Sequence, residues 1–230
     1  MSYAYYNTKV STSYAVCGKN VTNLAYAYYN TRVRFSNCGD NVVDMNNTYA
    51  NCRYLQNAVC GPKVTDMVYT YSGCNNSYFR TPVCGNNVVN MIGTYAGCSN
   101  LTAPVCGENV ITMQSTYLSC RNIKNAICGD NVVNMIGTYA GCSGLTTPVC
   151  GPKVENMSSA YSNCINLTTA ICGDNVLNMD STYYYCSNLQ EAVCGPNVIS
   201  MQSTYANCAN LTTAACGDNV IHMNYTYRNC

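Results

Sequence analysis

Apolar residues recur along this chain at intervals of three and four, and the whole pattern returns about every 22 residues. In the stretch from Leu167 to Cys186, LTTAICGDNVLNMDSTYYYC, residues Val176, Met179, Tyr183 and Cys186 fall three, four and three positions apart. That spacing marks one face of a helical turn or short helix. Upstream, Leu167-x-x-Ala170-x-Cys172 fits a short strand with Leu167, Ala170 and Cys172 inward and Thr169 and Ile171 outward. Gly173 suits a turn at positive φ, and Asp174 or Asn175 can cap the helical segment after it. One unit therefore reads as strand, turn, short helical or 3-10 back, and return.

The period is strict. Met45, Met67, Met91, Met113, Met135, Met157, Met179, Met201 and Met223 are 22 residues apart, except for one gap of 24, and Leu24 and Met1 extend the series backwards. The phrase NVVNMIGTYAGCS occurs identically at 87–99 and 131–143. The unit is C-G-x-N-V-x-x-M-x-x-T-Y-x-x-C-x-N-L-T-x-A/P-V. Its core columns are expected at Val88, Met91, Tyr95 and Cys98, at Val132, Met135, Tyr139 and Cys142, and at Val176, Met179, Tyr183 and Cys186. A unit of this length is too short for a helical hairpin and suits one coil of a repeat solenoid of leucine-rich-repeat type. No coil can bury its apolar face alone, so each column must recur in its neighbours. The expectation is a single solenoid of about ten coils over residues 1–230, with degenerate first repeats at 1–44 and an insertion at 76–82. Short parallel strands would line one face and short helical or 3-10 segments the other.

The run V-x-x-M-x-x-T-Y-x-x-C-x-N-L-T resembles the BspA-like leucine-rich repeats, which carry an aliphatic residue, Ala-Phe, Cys and Leu at the same spacings. This chain has Tyr for Phe, Thr for Ala, and Cys-Gly where Ile-Pro is frequent. The resemblance implies a non-catalytic recognition or adhesion scaffold of a microbe or phage, outside the cell, on its surface or on a virion.

If the strand phase is right, Val83, Val105, Ile127, Val149, Ile171 and Val193 form an outward aliphatic stripe, with Thr81, Thr147, Thr169 and Thr213 beside it. An exposed apolar stripe marks an interaction surface, and an unknown protein or glycan is the expected ligand. With the phase shifted by one, Val points inward instead. An ice-binding solenoid is a weaker reading, because Asn125 and Glu191 break the Thr columns.

Composition narrows the picture further. Only 9% of residues are charged and the formal net charge is +1. With no basic stripe evident, nucleic acid is not an expected partner. No apolar segment reaches the length of a membrane span, and no signal-peptide-like run follows Met1. There is no paired carboxylate column, phosphate loop or Ser/His/Asp set, so neither an enzyme nor a cofactor is expected. The 19 Cys fall into two columns, one before Gly and one three residues after Tyr. Buried free thiols are the expected use; disulfides between registered coils stay open. Metal binding is disfavoured, because there is no C-x-x-C and His222 is the only histidine. The column at Asn20, Asn41, Asn87, Asn109, Asn131, Asn175, Asn197 and Asn219 suggests a side-chain ladder interrupted at Lys63 and Lys153. Neither end carries a polar capping repeat, which leads to two expectations: this is a piece of a longer chain, or copies associate head to tail into a filament.

Overall fold

The computed structural model describes residues 1–9 and 13–230; residues 10–12, inside the degenerate first repeats, lie outside the described residues. The coils stack in parallel register. The position before each Met pairs with the same position one coil on, in a continuous line of parallel bridges. The line runs from Asn23 through Asp44, Asp66, Asn90, Thr112, Asn134, Asn156 and Asn178 to Ser200 and His222.

The coil itself is built of turns rather than of the expected strand and helix. Among the described residues there is no helix. In the coil of Met135, the N–H of Thr138 bonds the carbonyl of Met135, Cys142 that of Tyr139, Leu145 that of Cys142, and Val154 that of Gly151. Each bond joins a residue to the one three before it, the closure of a β-turn. The buried side chains sit at the corners of these turns. The spacing of three and four that suggested a helical face is the spacing of corners.

A helix is blocked twice in every coil. The second and sixth residues after Met have positive φ, as at Gly137 (59°) and Gly141 (72°), or Asn47 (55°) and Asn51 (61°). The N–H groups of Met135, Gly137, Tyr139 and Gly141 reach outward to the carbonyls of Asn156, Ser158, Ala160 and Ser162, at 2.7–2.9 Å. Bonds that a helix would spend internally are spent between coils. This Met-to-Cys portion is here termed the turn ribbon. The residue before Met caps it: Asn134 Oδ1 accepts from the N–H of Ile136 at 2.9 Å, and Asp44 does the same for Asn46. These are Asx-turns, which explains why Asn and Asp predominate at this position, with Thr112, Ser200 and His222 as the departures.

The return segment, Leu145 to Gly151 in the same coil, was expected to carry the strands. Its side of the solenoid shows two bridges only among the described residues, Tyr14 with Phe35 and Asn125 with Thr147. The reason lies in the tyrosine column. Tyr139 Oη crosses the interior, donates to the carbonyl of Ile127 and accepts from its N–H. The same clamp recurs from Tyr28 to Tyr227, with hydroxyl-to-carbonyl distances of 2.5–2.8 Å. The main-chain polar groups of the residue before each Cys-Gly therefore face the core and cannot pair with neighbouring coils.

The interior is otherwise a set of straight columns. Val88, Met91, Tyr95 and Cys98 are fully buried, as are Val132, Met135, Tyr139 and Cys142, and Val176, Met179, Tyr183 and Cys186. Successive tyrosine rings stack at 5.1–5.8 Å from Tyr5 to Tyr227. The insertion at 76–82 does not disturb them. Phe79 turns back into the core in place of the recurring leucine, 5.6 Å from the Tyr71 ring, while Tyr78 stays exposed. Gly173 does not adopt the expected positive φ. It is glycine because a Cβ there would stand 2.8 Å from Cys150 Sγ of the preceding coil.

Candidate recognition surfaces

The reactive-looking side chains of the interior are all occupied. Thr138 Oγ1 donates within reach of two carbonyls, Met113 at 2.9 Å and Met135 at 2.8 Å. Cys142 Sγ donates to the carbonyl of Tyr117 at 3.0 Å, and the same bond recurs at Cys98, Cys120, Cys164, Cys186 and Cys208. Every cysteine is a free thiol. Burial pushes the thiols of Cys142 and Cys128 up to about 12, the condition of an unreactive sulfur rather than a nucleophile. Among the described residues, no buried side-chain nitrogen or oxygen lacks a partner, and no group of three His, Cys, Asp or Glu could hold a metal ion.

The departures of this chain from the usual repeat now have a common explanation. Tyr in place of Phe supplies the hydroxyl clamp. Thr in place of Ala supplies a donor to the Met carbonyls. Cys-Gly forms a lock, with each Cys sulfur against the glycine of the next coil. The asparagine column is not a ladder of side chains. Asn131 Nδ2 donates to the carbonyl of Glu108, and Asn175 to that of Pro152. Lys153 and Lys63 do not interrupt the contact between coils, because each Nζ donates to an asparagine Oδ1 one coil back, Asn131 and Asn41.

On the return segment, Thr81, Thr147, Thr169 and Thr213 are exposed. Val83, Val105, Ile127, Val149, Ile171 and Val193 are half-buried. The aliphatic stripe is thus neither core nor free surface. Its main chain is held inward by tyrosine, and Val149 also packs against the core. The stripe and the threonines share one side of the solenoid, with Asn125 and Glu191 exposed among them.

A second surface was not visible in the net charge. Lys9, Arg32 and Arg53 occupy the same position of three consecutive coils, eight residues after Met1, Leu24 and Met45, and all are exposed. They line a groove of about 300 Å³ that no carboxylate borders. These three cations form a local basic patch rather than a stripe along the chain. Residues 1–39 contain Lys9, Lys19, Arg32 and Arg34 and no Asp or Glu, so the cations are concentrated where the total of +1 hides them. Tabulating charge by coil would have revealed this.

The stacked-turn geometry can be compared with known proteins. The profile of the BspA type leucine-rich repeat region (6 copies) matches residues 22–146 and 133–230. The chain belongs to the BspA-type leucine-rich repeat family. Repeats of this family are generally non-catalytic scaffolds. Among solved structures, a leucine-rich repeat protein from Bacteroides ovatus aligns over 90% of this chain at 16% identity, with a TM-score of 0.65. The alignment spans 61% of that protein's length, so it speaks to the fold alone. A leucine-rich cell surface protein from Faecalibacterium prausnitzii aligns over 89% of this chain and 76% of its own, at 13% identity and a TM-score of 0.46. No curated protein matches the chain.

Proposed function

We propose that this BspA-type solenoid is a non-catalytic recognition element, displayed outside the cell or on a virion, that adheres through its outward-facing side chains. One observation carries the reading. The interior columns are nearly uniform and their polar groups are spent on holding coils together, whereas the outward positions change from coil to coil. On the return segment these include Thr81, Asn125, Thr147, Thr169, Glu191 and Thr213, beside the half-buried Ile127, Val149 and Ile171. A rigid frame with variable outward residues is how repeat solenoids build extended binding surfaces. The test is adhesion. Beads coated with the chain should be retained under flow on glass coated with mucin or matrix protein. Replacing Thr147, Thr169 and Thr213 with Asp should release them without shifting thermal unfolding. Beads that wash off every such coating would end the reading.

A second reading has its own observation. The N–H groups of Met223, Tyr225, Tyr227 and Asn229 have no backbone partner among the described residues, and neither have the carbonyls of Ser2, Ala4 and Tyr6. Elsewhere these positions join one coil to the next. Any further coil in register, whether of the same chain or of a second copy stacked head to tail, would pair them. Sedimentation across a hundredfold range of concentration tests the stacking of copies, and a single unchanging species would exclude it.

A further inference from the structure

We infer that the groove over the first three coils is a second binding site, for an acidic polysaccharide whose sugars carry one carboxylate each, a polyuronate. The inference is independent of the return-segment stripe. The two surfaces are separated by the buried column of Val33 and Leu55.

The placement of charge is the first observation. Lys9, Arg32 and Arg53 repeat once per coil, and registered coils sit about 4.8 Å apart. Like charges at that separation repel, and the groove offers no carboxylate to offset them. Beyond Arg53 the equivalent position is neutral at Asn75 and Ser99 and is cationic again only at the isolated Arg121, so the three adjoining cations form a local patch rather than a stripe along the whole solenoid. An arrangement that is unfavourable in the free protein becomes favourable once an anion lies along it.

The amides are the second observation. Asn7, Asn30 and Asn51 line the same groove, again one per coil. Asn30 Nδ2 donates to Asn7 Oδ1 at 3.0 Å, and Asn51 Nδ2 donates to Tyr29 Oη at 3.2 Å. These bonds hold the amides in line and leave each with further donor or acceptor capacity. One cation and one amide per coil match one carboxylate and one set of hydroxyls per sugar. The rise of a coil is close to the length of one sugar ring in an extended chain. Guanidinium groups are well suited to carboxylate oxygens, which they can hold through two parallel N–H bonds.

The flanking aromatics are the third. Tyr6 and Tyr29, next in sequence to Asn7 and Asn30, stack on each other at 5.0 Å, and Tyr3 and Tyr26 do so at 4.9 Å. Tyr3 and Tyr26 hold positive φ, of 58° and 57°, a conformation costly for a bulky side chain. These rings are taken up with each other, and exposed Tyr54 is the single aromatic among the groove's lining residues, too few platforms for successive nucleic-acid bases, each of which stacks on a ring of its own. This favours a glycan over a single-stranded nucleic acid.

Titration calorimetry of the chain with a hexamer of galacturonate tests the site. Saturable binding is expected that weakens as salt is added. The double substitution Arg32→Gln and Arg53→Gln should lower affinity about tenfold, since each exposed pair is worth a few-fold. Arg121→Gln with Lys124→Gln, on a coil three beyond Arg53 where the cation in the same column has no cationic neighbour in register, should change nothing. The methyl-esterified hexamer should not bind. The inference is overturned by absence of saturable binding, by equal affinity in the Arg32/Arg53 variant, or by oligothymidine binding as tightly as the galacturonate hexamer. Loss of bead adhesion by the threonine variant leaves this result untouched, so the two surfaces are judged separately.

Discussion

The turn ribbon and the return segment lie on opposite sides of the same coil and hold it in opposite ways. In the ribbon, alternate N–H groups bond the next coil, so the backbone of Met135 to Cys142 is tied along the solenoid axis. In the return segment, the residue before Cys-Gly turns its N–H and carbonyl inward to a tyrosine hydroxyl, so the backbone is tied across the coil. The cysteines divide likewise. Ribbon sulfurs donate to a carbonyl one coil back, whereas return-segment sulfurs pack against the glycine one coil on. One side of the solenoid is held by a continuous ladder and the other by struts with scattered bonds between coils, such as Thr146 N–H to the carbonyl of Lys124, and each is open to a different kind of damage.

The largest expected effect strikes both sides at once. Burial raises the thiols of Cys98 and Cys142 in the ribbon, and of Cys128 and Cys172 in the return segment, from an ordinary value near 9 to about 12. A raised acid is favoured in its neutral form by folding. The contribution is whole below pH 9 and is lost as pH climbs from 9 towards 12. Each deeply buried thiol, such as Cys98 or Cys142, then removes about 1.4 kcal/mol per pH unit. Urea midpoints measured from pH 7 to 11 should be flat at first and fall steeply above 9. A flat profile up to pH 10.5 would show that these sulfurs are not buried as described.

Next in size is the removal of one strut. Tyr139→Phe keeps the stacked ring but strips both partners from the main chain of Ile127, leaving a buried N–H and carbonyl unpaired. A cost of about 2–4 kcal/mol is expected. The amide of Ile127 should also exchange with solvent far faster, while that of Tyr139, bonded to the next coil, should change little. Tyr184→Phe, on the half-exposed surface of the ribbon, serves as the control and should be near neutral. Equal loss in both variants would dissolve the distinction between strut and ladder.

The contrast also shows what a sequence of this kind discloses. Period, register and the identity of the buried columns were legible, because a column that packs on its own copies must repeat, as Val132, Met135, Tyr139 and Cys142 do. The local conformation was not. Corners of successive β-turns give the same spacing as a helical face, and only the positive φ at positions such as Gly137 and Gly141 separates the two. Those positions hold Gly, Asn, Ser or Tyr in different coils, so no single residue type announces them. The strut was hidden for a different reason. Tyr in place of Phe looked like variation within an aromatic column, and its partner lies twelve residues earlier. The basic groove was masked by averaging charge over the whole chain, although the positions of Lys9, Arg32 and Arg53 were on view.

A smaller effect probes the return segment alone. Gly151→Ala would set a Cβ 2.8 Å from Cys128 Sγ and 3.0 Å from the carbonyl of Gly129. Overpacking of this kind costs about 1–3 kcal/mol. If the sulfur is the principal obstacle, adding Cys128→Ala should recover part of the loss. If the carbonyl is, the double variant should be no better than the single one. Chemical denaturation of both variants decides between lock and backbone.

The smallest effect belongs to the ribbon. Thr138→Ala restores the residue usual in this family and removes a hydroxyl that donates to Met113 and Met135. Neither carbonyl is orphaned, because Thr116 N–H still bonds Met113 and the N–H of residue 138 still bonds Met135. The chain already contains this experiment: Ala160 stands at the same position, fully buried, with its N–H on Met157 at 2.8 Å. The expected loss is therefore that of one ordinary hydrogen bond, about 0.5–1 kcal/mol, against several times that for Tyr139→Phe. The two substitutions each delete one hydroxyl from the same coil. Their ratio measures whether a group that is one of several donors to a carbonyl matters less than a group that is the sole partner of a buried peptide. Losses of equal size from urea unfolding would mean that the ladder relies on its threonines as heavily as the struts rely on their tyrosines.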